Sequence, residues 1–237
     1  MSASEQARSF HRAAEEYERG RPGWPAEVLD LLPVADDATV LDVGAGTGKL
    51  TRVLAGRYAK VLALEPLDEL RAILAERVPE ADALPGVAEA IPLGAEEVDA
   101  VFAAQSFHWF ANDVALAEIA RVLRPGGVFA RLWNETVDPS PLPEAYRRRM
   151  SDLHDEMRPA SIPDDVFDSA PFGEAHDAAL DHEQVSSRDE VLAFAASVSW
   201  IANRDDRGDL LAELAAMLSD GEYRFSLRVY VEWAHRV

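Results

Sequence analysis

The 237-residue sequence predicts a doubly wound α/β fold, a mostly parallel sheet with helices on both faces. Three observations carry that expectation. Between Leu41 and Trp133 short apolar segments alternate with amphipathic ones, the rhythm of β–α–β units. The first apolar segment runs straight into a loop with glycine at every second position, Gly44, Gly46 and Gly48. The second, Lys60-Val-Leu-Ala-Leu-Glu65, ends in a carboxylate about twenty residues further on.

Element by element, strands are expected at 39–44, 60–65, 98–104 and 127–133, with a weaker one near 83–87 that Pro85 and Gly86 cut short. Helical periodicity covers Lys49–Ala55, Leu67–Arg77 and Asp113–Leu123, and Arg124-Pro-Gly-Gly127 reads as a helix end followed by a turn. An amphipathic helix near the N-terminus carries Tyr17, with Arg21 at its exit. Asp138-Pro-Ser-Pro-Leu-Pro143 and Ser161-Ile-Pro-Asp-Asp165 bracket a helix of about 144–157, in a connection long enough to act as a lid or binding loop. A short strand at Asp181–Ser186, helices near 188–201 and 205–219, and an alternating strand over Tyr223–Trp233 complete the chain.

Composition narrows the function. Lys and Arg number 23 against 43 Asp and Glu, a formal charge of −20. Nucleic acids and anionic membranes call for clustered cations, so neither is an expected partner. The one compact basic run, Arg147-Arg-Arg149, lies among acids and reads as a solvated helix face. With no cysteine there are no disulfides and no thiolate metal ligands. The six histidines lack H-x-x-x-H spacing, so no zinc site is expected. Charged residues fall within the first eight, with no apolar stretch behind them, and no run nears the ~20 apolar residues of a membrane span. A cytoplasmic location is the expectation; the oligomeric state is not legible.

The glycine loop points to a nucleotide-type ligand. A strand, a tight glycine turn and a helix N-terminus together bring free backbone N–H groups to a ligand. The dinucleotide fingerprint G-x-G-x-x-G would need glycine at position 49, where this chain has Lys49, and this argues against NAD. Glu65, closing the second strand, is placed to accept both hydroxyls of a ribose, and its charge disfavours a 2′-phosphate. The plain alternatives are a structural turn for the glycines and a solvated loop residue for Glu65.

Five segments in order then resemble a known family: Val40-Leu-Asp-Val-Gly-Ala-Gly-Thr-Gly48, Glu65, Ala88-Glu-Ala-Ile-Pro92, Val98-Asp-Ala-Val-Phe-Ala-Ala-Gln105 and Leu123-Arg-Pro-Gly-Gly127. They look like the successive motifs of class I S-adenosylmethionine-dependent methyltransferases. Tyr17-Glu-Arg-Gly-Arg-Pro22 and Ser106-Phe-His-Trp-Phe110 are similar to the small-molecule, trans-aconitate-type branch. The resemblance implies a Rossmann-like seven-stranded sheet with an N-terminal helical flap and a helical insertion after the fifth strand. It implies one domain over 1–237: a flap at 1–38, a cofactor-binding core at 39–134, an insertion at 135–180 that forms part of an acceptor pocket, and C-terminal strands and helices at 181–237.

It also implies roles. S-adenosylmethionine would be the cofactor and S-adenosylhomocysteine the product, held by Tyr17, Arg21, Asp42, Gly44, Ala45, Gly46, Gly48, Glu65, Pro66, Ala88, Glu89, Ala104 and Gln105. Asp42 would help hold the methionine ammonium, or alternatively cap the turn. Ala88 and Glu89 would lie along adenine, although Val87 stands where an acidic or hydroxylic residue often precedes that pair. Ala104 and Gln105 end the fourth strand beside the topological switch point. Tyr17 and Arg21 would fold over the methionine end, with a surface arginine and a core tyrosine as the alternative. His108 would suit a general base, as an ordinary imidazole changes charge near neutral pH, or pack structurally beside aromatics. Trp109, Trp133 and Asn134 would line the pocket of a small-molecule acceptor. Two other readings stay open: a cofactor-binding protein without methyl transfer, such as a cyclase or regulatory subunit, and an NAD-dependent oxidoreductase.

Overall fold

The computed structural model describes residues 15–157, 167 and 171–237. Residues 1–14 of the expected flap and the Ser161–Asp165 bracket lie outside them. Seven strands form one sheet: β1 (Thr39–Val43), β2 (Lys60–Leu64), β3 (Asp82–Leu84), β4 (Val98–Ala104), β5 (Leu123–Asp138), β6 (His176–Ser187) and β7 (Glu222–His235), in the order β3-β2-β1-β4-β5-β7-β6. The pairs β1–β2, β1–β4, β2–β3 and β4–β5 are parallel. Backbone bonds join Gly126 and Gly127 to Arg236 while Trp133 stacks on Tyr230, so β7 runs antiparallel to β5. The order leaves β1 and β4 as neighbours whose connections leave in opposite directions, so their C-terminal ends border the crevice where such sheets bind ligands.

The chain divides into two compact units. One holds 23–134, 161–180 and 229–237. Its strands are buried on both faces, as a parallel sheet requires. Leu41, Val43, Leu62, Leu64, Val101 and Phe129 pack with Leu116 and Ile119 of the helix Asp113–Val122. On the other face Val40, Val61, Ala100, Phe102 and Val128 pack with Leu50 and Leu54 of the helix Lys49–Ala55 and with Val28 and Leu29 of a 3-10 turn. Asn112 caps the first of these helices by accepting the Ala115 amide at 3.0 Å.

The other unit holds 15–22, 135–157 and 181–228 of the described residues. Its core is helical: Tyr146 and Leu153 of Glu144–Met157, Val191 and Ala195 of Arg188–Ser197, and Leu210 and Leu214 of Arg207–Ala216. Ser187 and Glu190 form a complete capping box at the start of Arg188–Ser197.

Three expectations are corrected. The helix ends at Val122 as expected, but Arg124-Pro-Gly-Gly127 lies within β5: Leu123 leaves the helix with ψ 140° and begins the strand, and three extra residues bulge out between the pairs Val98–Leu123 and Ala100–Val128, with Gly126 at φ +77°. The expected helix 188–201 breaks at Val198, ψ 135°, into Arg188–Ser197 and Ser199–Ala202. The basic run is not one solvated face. Arg148 is exposed, but Arg149 pairs with Glu213 at 3.0 and 3.3 Å and Arg147 turns its Nε onto the Leu142 carbonyl at 3.1 Å.

Candidate cofactor-binding site

The loop after β1 is built by backbone. The amides of Gly44 and Ala45 both donate to the Leu64 carbonyl, at 2.9 and 3.1 Å, which ties the end of β1 to the end of β2. Gly44, Gly46 and Gly48 have φ of +69°, +59° and +87°, the left-handed region that side chains avoid. Their surroundings differ. A Cβ on Gly44 would lie 2.7 Å from Ser106 Cβ, so this position lets β1 and the segment after β4 approach; Ser106 Oγ donates to the Val43 carbonyl at 2.8 Å. A Cβ on Gly46 would meet nothing within 4 Å. Bare peptide at Gly46 therefore borders open space, a cradle for a ligand lying against backbone.

Glu65 is buried at that cradle. One carboxylate oxygen accepts the Gly46 amide at 2.9 Å and the other accepts the Leu67 amide at 3.0 Å. Arg71 Nη1 donates to the Glu65 carbonyl at 2.8 Å and steadies the backbone beneath it. A carboxylate has about four acceptor positions, so two remain for a vicinal diol after both amides are satisfied. Pro66 follows, exposed.

Asp42 lies inside β1, 1 % exposed, and accepts from Thr51 Oγ1 at 2.7 Å. Burial pushes its carboxyl up to about 7; the Thr51 bond pulls the other way, and the charge of Glu65 adds to the rise. Glu65, at the end of β2, gives the crevice a negative charge; Asp42, inside β1, adds a buried carboxyl that a bound cation would draw back toward its charged form.

Ala88 and Glu89, expected along adenine, are held from below. Ala88 is buried, and Glu89 Oε1 accepts from Asn112 Nδ2 at 2.9 Å. Glu118 accepts the Ile91 amide while Arg121 donates to the carbonyls of Ile91 and Leu93, clamping the segment onto its helix. On the far side of β1, Gln105 takes φ +53°, uncommon for a non-glycine residue and typical of functional turns. Its amide donates to the Leu132 carbonyl and its side chain to the Asn134 carbonyl, so Ala104 and Gln105 are fixed against β5.

His108 and Trp109 form a one-turn 3-10 element after β4; both are exposed, with ring centroids 4.8 Å apart. Trp133 stacks on Tyr230 at 5.4 Å with Arg131 over its ring, and Asn134 Nδ2 donates to the Gly23 carbonyl at 3.3 Å. Tyr17 and Arg21 belong to the other unit. The Arg21 guanidinium lies 5.5 Å from the Tyr17 ring and 5.2 Å from that of Phe194, donates to Ser197 Oγ at 3.1 Å, and is held below its usual pKa by burial.

Thr51, Ser106, Arg71 and Asn112 were not singled out from sequence. Thr51, Arg71 and Asn112 each hold a residue that was, and Ser106 holds the Val43 carbonyl just before Gly44; only Thr51 had a local signal, a hydroxyl in the first turn of the helix after the loop. Among the described residues no cluster of His, Cys, Asp and Glu could hold a metal, and no helix is long and apolar enough to cross a membrane.

Three comparisons with known proteins cover the region that holds this loop. A family model described as a methyltransferase domain matches residues 41–130, from β1 into β5. An uncharacterised methyltransferase of Mycobacterium tuberculosis is 48% identical over 126 residues, 53% of this chain and 52% of that protein. One from Geobacillus kaustophilus is 32% identical over 166 residues, 62% of this chain and 77% of that one. The chain spans about half the length of the first curated relatives it matches. The crystal structure of a candidate type II methyltransferase from Anaeromyxobacter dehalogenans superposes with a TM-score of 0.67 at 24% identity, over 91% of this chain and 97% of that one.

Proposed function

The chain belongs to the class I S-adenosylmethionine-dependent methyltransferases, and from that premise we propose that it binds S-adenosylmethionine on the glycine loop and directs the methyl group to a small-molecule acceptor. The observation that carries the reading is the bond from the Gly46 amide to Glu65 Oε2, which joins the open glycine backbone to the acid at the neighbouring strand's tip. The residues present fit the cofactor. Glu65 keeps two acceptor positions for the ribose hydroxyls, and Gly44 to Gly48 offer bare peptide to the amino-acid portion. Asp42 and the carbonyls at Ala104 and Gln105 suit its ammonium, and Ala88 with Glu89 the adenine.

When bound, S-adenosylmethionine supplies an electrophilic methyl on a positively charged sulfur. The protein's work is then orientation, which can supply roughly 7–11 kcal/mol of barrier reduction. A carboxylate acceptor carries its own nucleophilic charge and needs no base. A hydroxyl or amine acceptor does need one, and His108 is the first candidate, with Trp109, Trp133 and Asn134 as acceptor contacts.

Titration calorimetry with S-adenosylmethionine on wild type and Glu65→Gln tests the binding half. The charge of Glu65 is worth about 1–3 kcal/mol to two diol bonds, so affinity should fall by roughly tenfold or more; one of the two amides that Glu65 accepts then faces an NH2 group, so the unfolding midpoint falls as well and the titrations are run well below it. Equal affinity in the two proteins would refute the diol assignment. Release of S-adenosylhomocysteine with a panel of small acids, phenols and amines tests the transfer half.

A further inference from the structure

The unit that lacks the glycine loop contains a cavity of about 280 Å³. Its walls come from four separated segments of that one unit: Gly20 and Pro22, residues 136–150, residues 184–194, and Phe225 with Leu227. Most of the lining is apolar, with Leu142, Met150, Val191, Phe194, Phe225 and Leu227 supplying the bulk.

The polar groups in the walls are Thr136, Gln184 and the carboxylate of Glu190, and beside them three donors, Tyr146, Arg147 and Ser186. Tyr146 is 2% exposed, and its hydroxyl has no hydrogen-bond partner among the described residues. Buried hydroxyls are rarely left so, and each one that is calls for an explanation. Burial also holds this phenol above its usual pKa, so it remains a donor. Arg147, the next residue, spends its Nε on the Leu142 carbonyl, while its terminal nitrogens make no hydrogen bond or ion pair among the described residues. Ser186, 3% exposed, accepts from Gln184 Nε2 at 3.0 Å, which leaves its own proton to give.

The nearby acids are bonded to their own turns, although the charge of Asp138 also acts on Arg147. Glu190 accepts the Ser187 amide and hydroxyl at 2.7 and 2.9 Å, and Asp138 accepts the Ser140 amide and hydroxyl at 2.8 and 2.6 Å. Three donors, one of them cationic, therefore line a largely apolar cavity whose one carboxylate, Glu190, is held by Ser187 through one oxygen. Such a lining suits an oxygen-rich, anionic end on an apolar body. The volume falls just below the ~300–1,000 Å³ typical of ligand pockets, so that body is compact.

We propose that this cavity binds a compact monocarboxylic acid, its hydrocarbon against Leu142, Met150 and Phe194 and its carboxylate on the Tyr146 hydroxyl and the Arg147 guanidinium. The site shares no residue with the glycine loop, and the proposal does not depend on the methyl-transfer reading.

Calorimetry without any nucleoside tests it, with octanoate and 3-phenylpropionate as probes and the matching alcohols as controls. A hydrogen bond to a charged group is worth about a tenfold change or more. The acids should therefore bind at least ~10-fold more tightly than the alcohols, and Tyr146→Phe and Arg147→Gln should each weaken the acids by about 10-fold. Tyr146→Phe removes a hydroxyl that has no partner, so the ligand-free variant should unfold at the same temperature or higher. Acids and alcohols binding alike, no binding of either acid at millimolar concentration, or wild-type affinity in Arg147→Gln would each overturn the proposal. Because S-adenosylmethionine titrations are independent of these, failure here leaves the glycine-loop assignment as it stands.

Discussion

The glycine loop and the cavity of the helical unit satisfy their polar groups in opposite ways. At the loop every buried group is paired: Asp42 with Thr51, Glu65 with two amides, Ser106 with Val43. In the cavity a buried phenol has no partner among the described residues, and the neighbouring guanidinium bonds to protein through one nitrogen. The first region is preorganised by short-range backbone geometry, and a ligand adds bonds to acceptors with spare capacity. The second offers donors that only a ligand or solvent completes. Affinity at the loop should thus follow charge and backbone conformation, whereas affinity in the cavity should follow single side chains.

Asp42 gives the largest expected effect. Its folded-state carboxyl titrates near 7, against 3.8 for the ordinary group. Between those values the folded protein binds more protons than the unfolded chain, so stability falls as pH rises through that window and is flat above it. At about 1.4 kcal/mol per unit, the contribution is on the order of 4 kcal/mol. Asp42→Asn keeps an acceptor for Thr51 and carries no charge. The variant should gain on the wild type steadily from pH 4 to pH 7 in denaturant titrations. Parallel curves for the two proteins would mean that the carboxyl is not held neutral by burial.

Gly44→Ala and Gly46→Ala separate architecture from binding within the loop itself. Both place a Cβ at positive φ, which costs about 1–2 kcal/mol. Gly44→Ala also drives that Cβ into Ser106, and overpacking adds about 1–3 kcal/mol. It should therefore lose about 3 kcal/mol of stability. Gly46→Ala meets nothing in the protein and should lose only about 1 kcal/mol, yet it fills the cradle and should weaken S-adenosylmethionine more than Gly44→Ala does per unit of stability lost. Equal stability losses would show that Ser106 yields to the added methyl group.

Much of the first region was legible in the sequence because its determinants are local. Alternating glycines announce positive φ, and an acid after four apolar residues marks a strand tip wherever the strand sits in the sheet. The sheet and the helix Glu144–Met157 follow from periodicity in the same way. What escaped was set at long range. The run 124–127 has turn composition, but pairing of Leu123 with Val98 draws it into β5. Arg147 to Arg149 look alike in sequence and are told apart only by which neighbour each meets, the Leu142 carbonyl, Glu144 or Glu213. Tyr146 reads as an ordinary amphipathic-helix residue until segments distant in the chain, Gly20 and Pro22, residues 184–194 and Phe225 with Leu227, close over it.

His108→Ala should have the smallest effect on the folded protein and is the sharpest probe of chemistry beside the loop. The ring is exposed and rests on Trp109, itself 73% exposed, so its removal should shift stability by less than about 0.5 kcal/mol. S-adenosylmethionine affinity should not change, since Glu65, Asp42 and the glycine backbone are untouched. Turnover is where the acceptor's chemistry enters. With a hydroxyl or amine acceptor, loss of a general base lowers kcat by about 10²–10⁴-fold and flattens the acid limb of the pH–rate profile. With a carboxylate acceptor neither changes, because no proton has to leave. Measuring both acceptor classes on the one variant therefore assigns His108: a drop confined to the hydroxyl and amine acceptors makes it the base, and unchanged rates with all of them remove it from the mechanism.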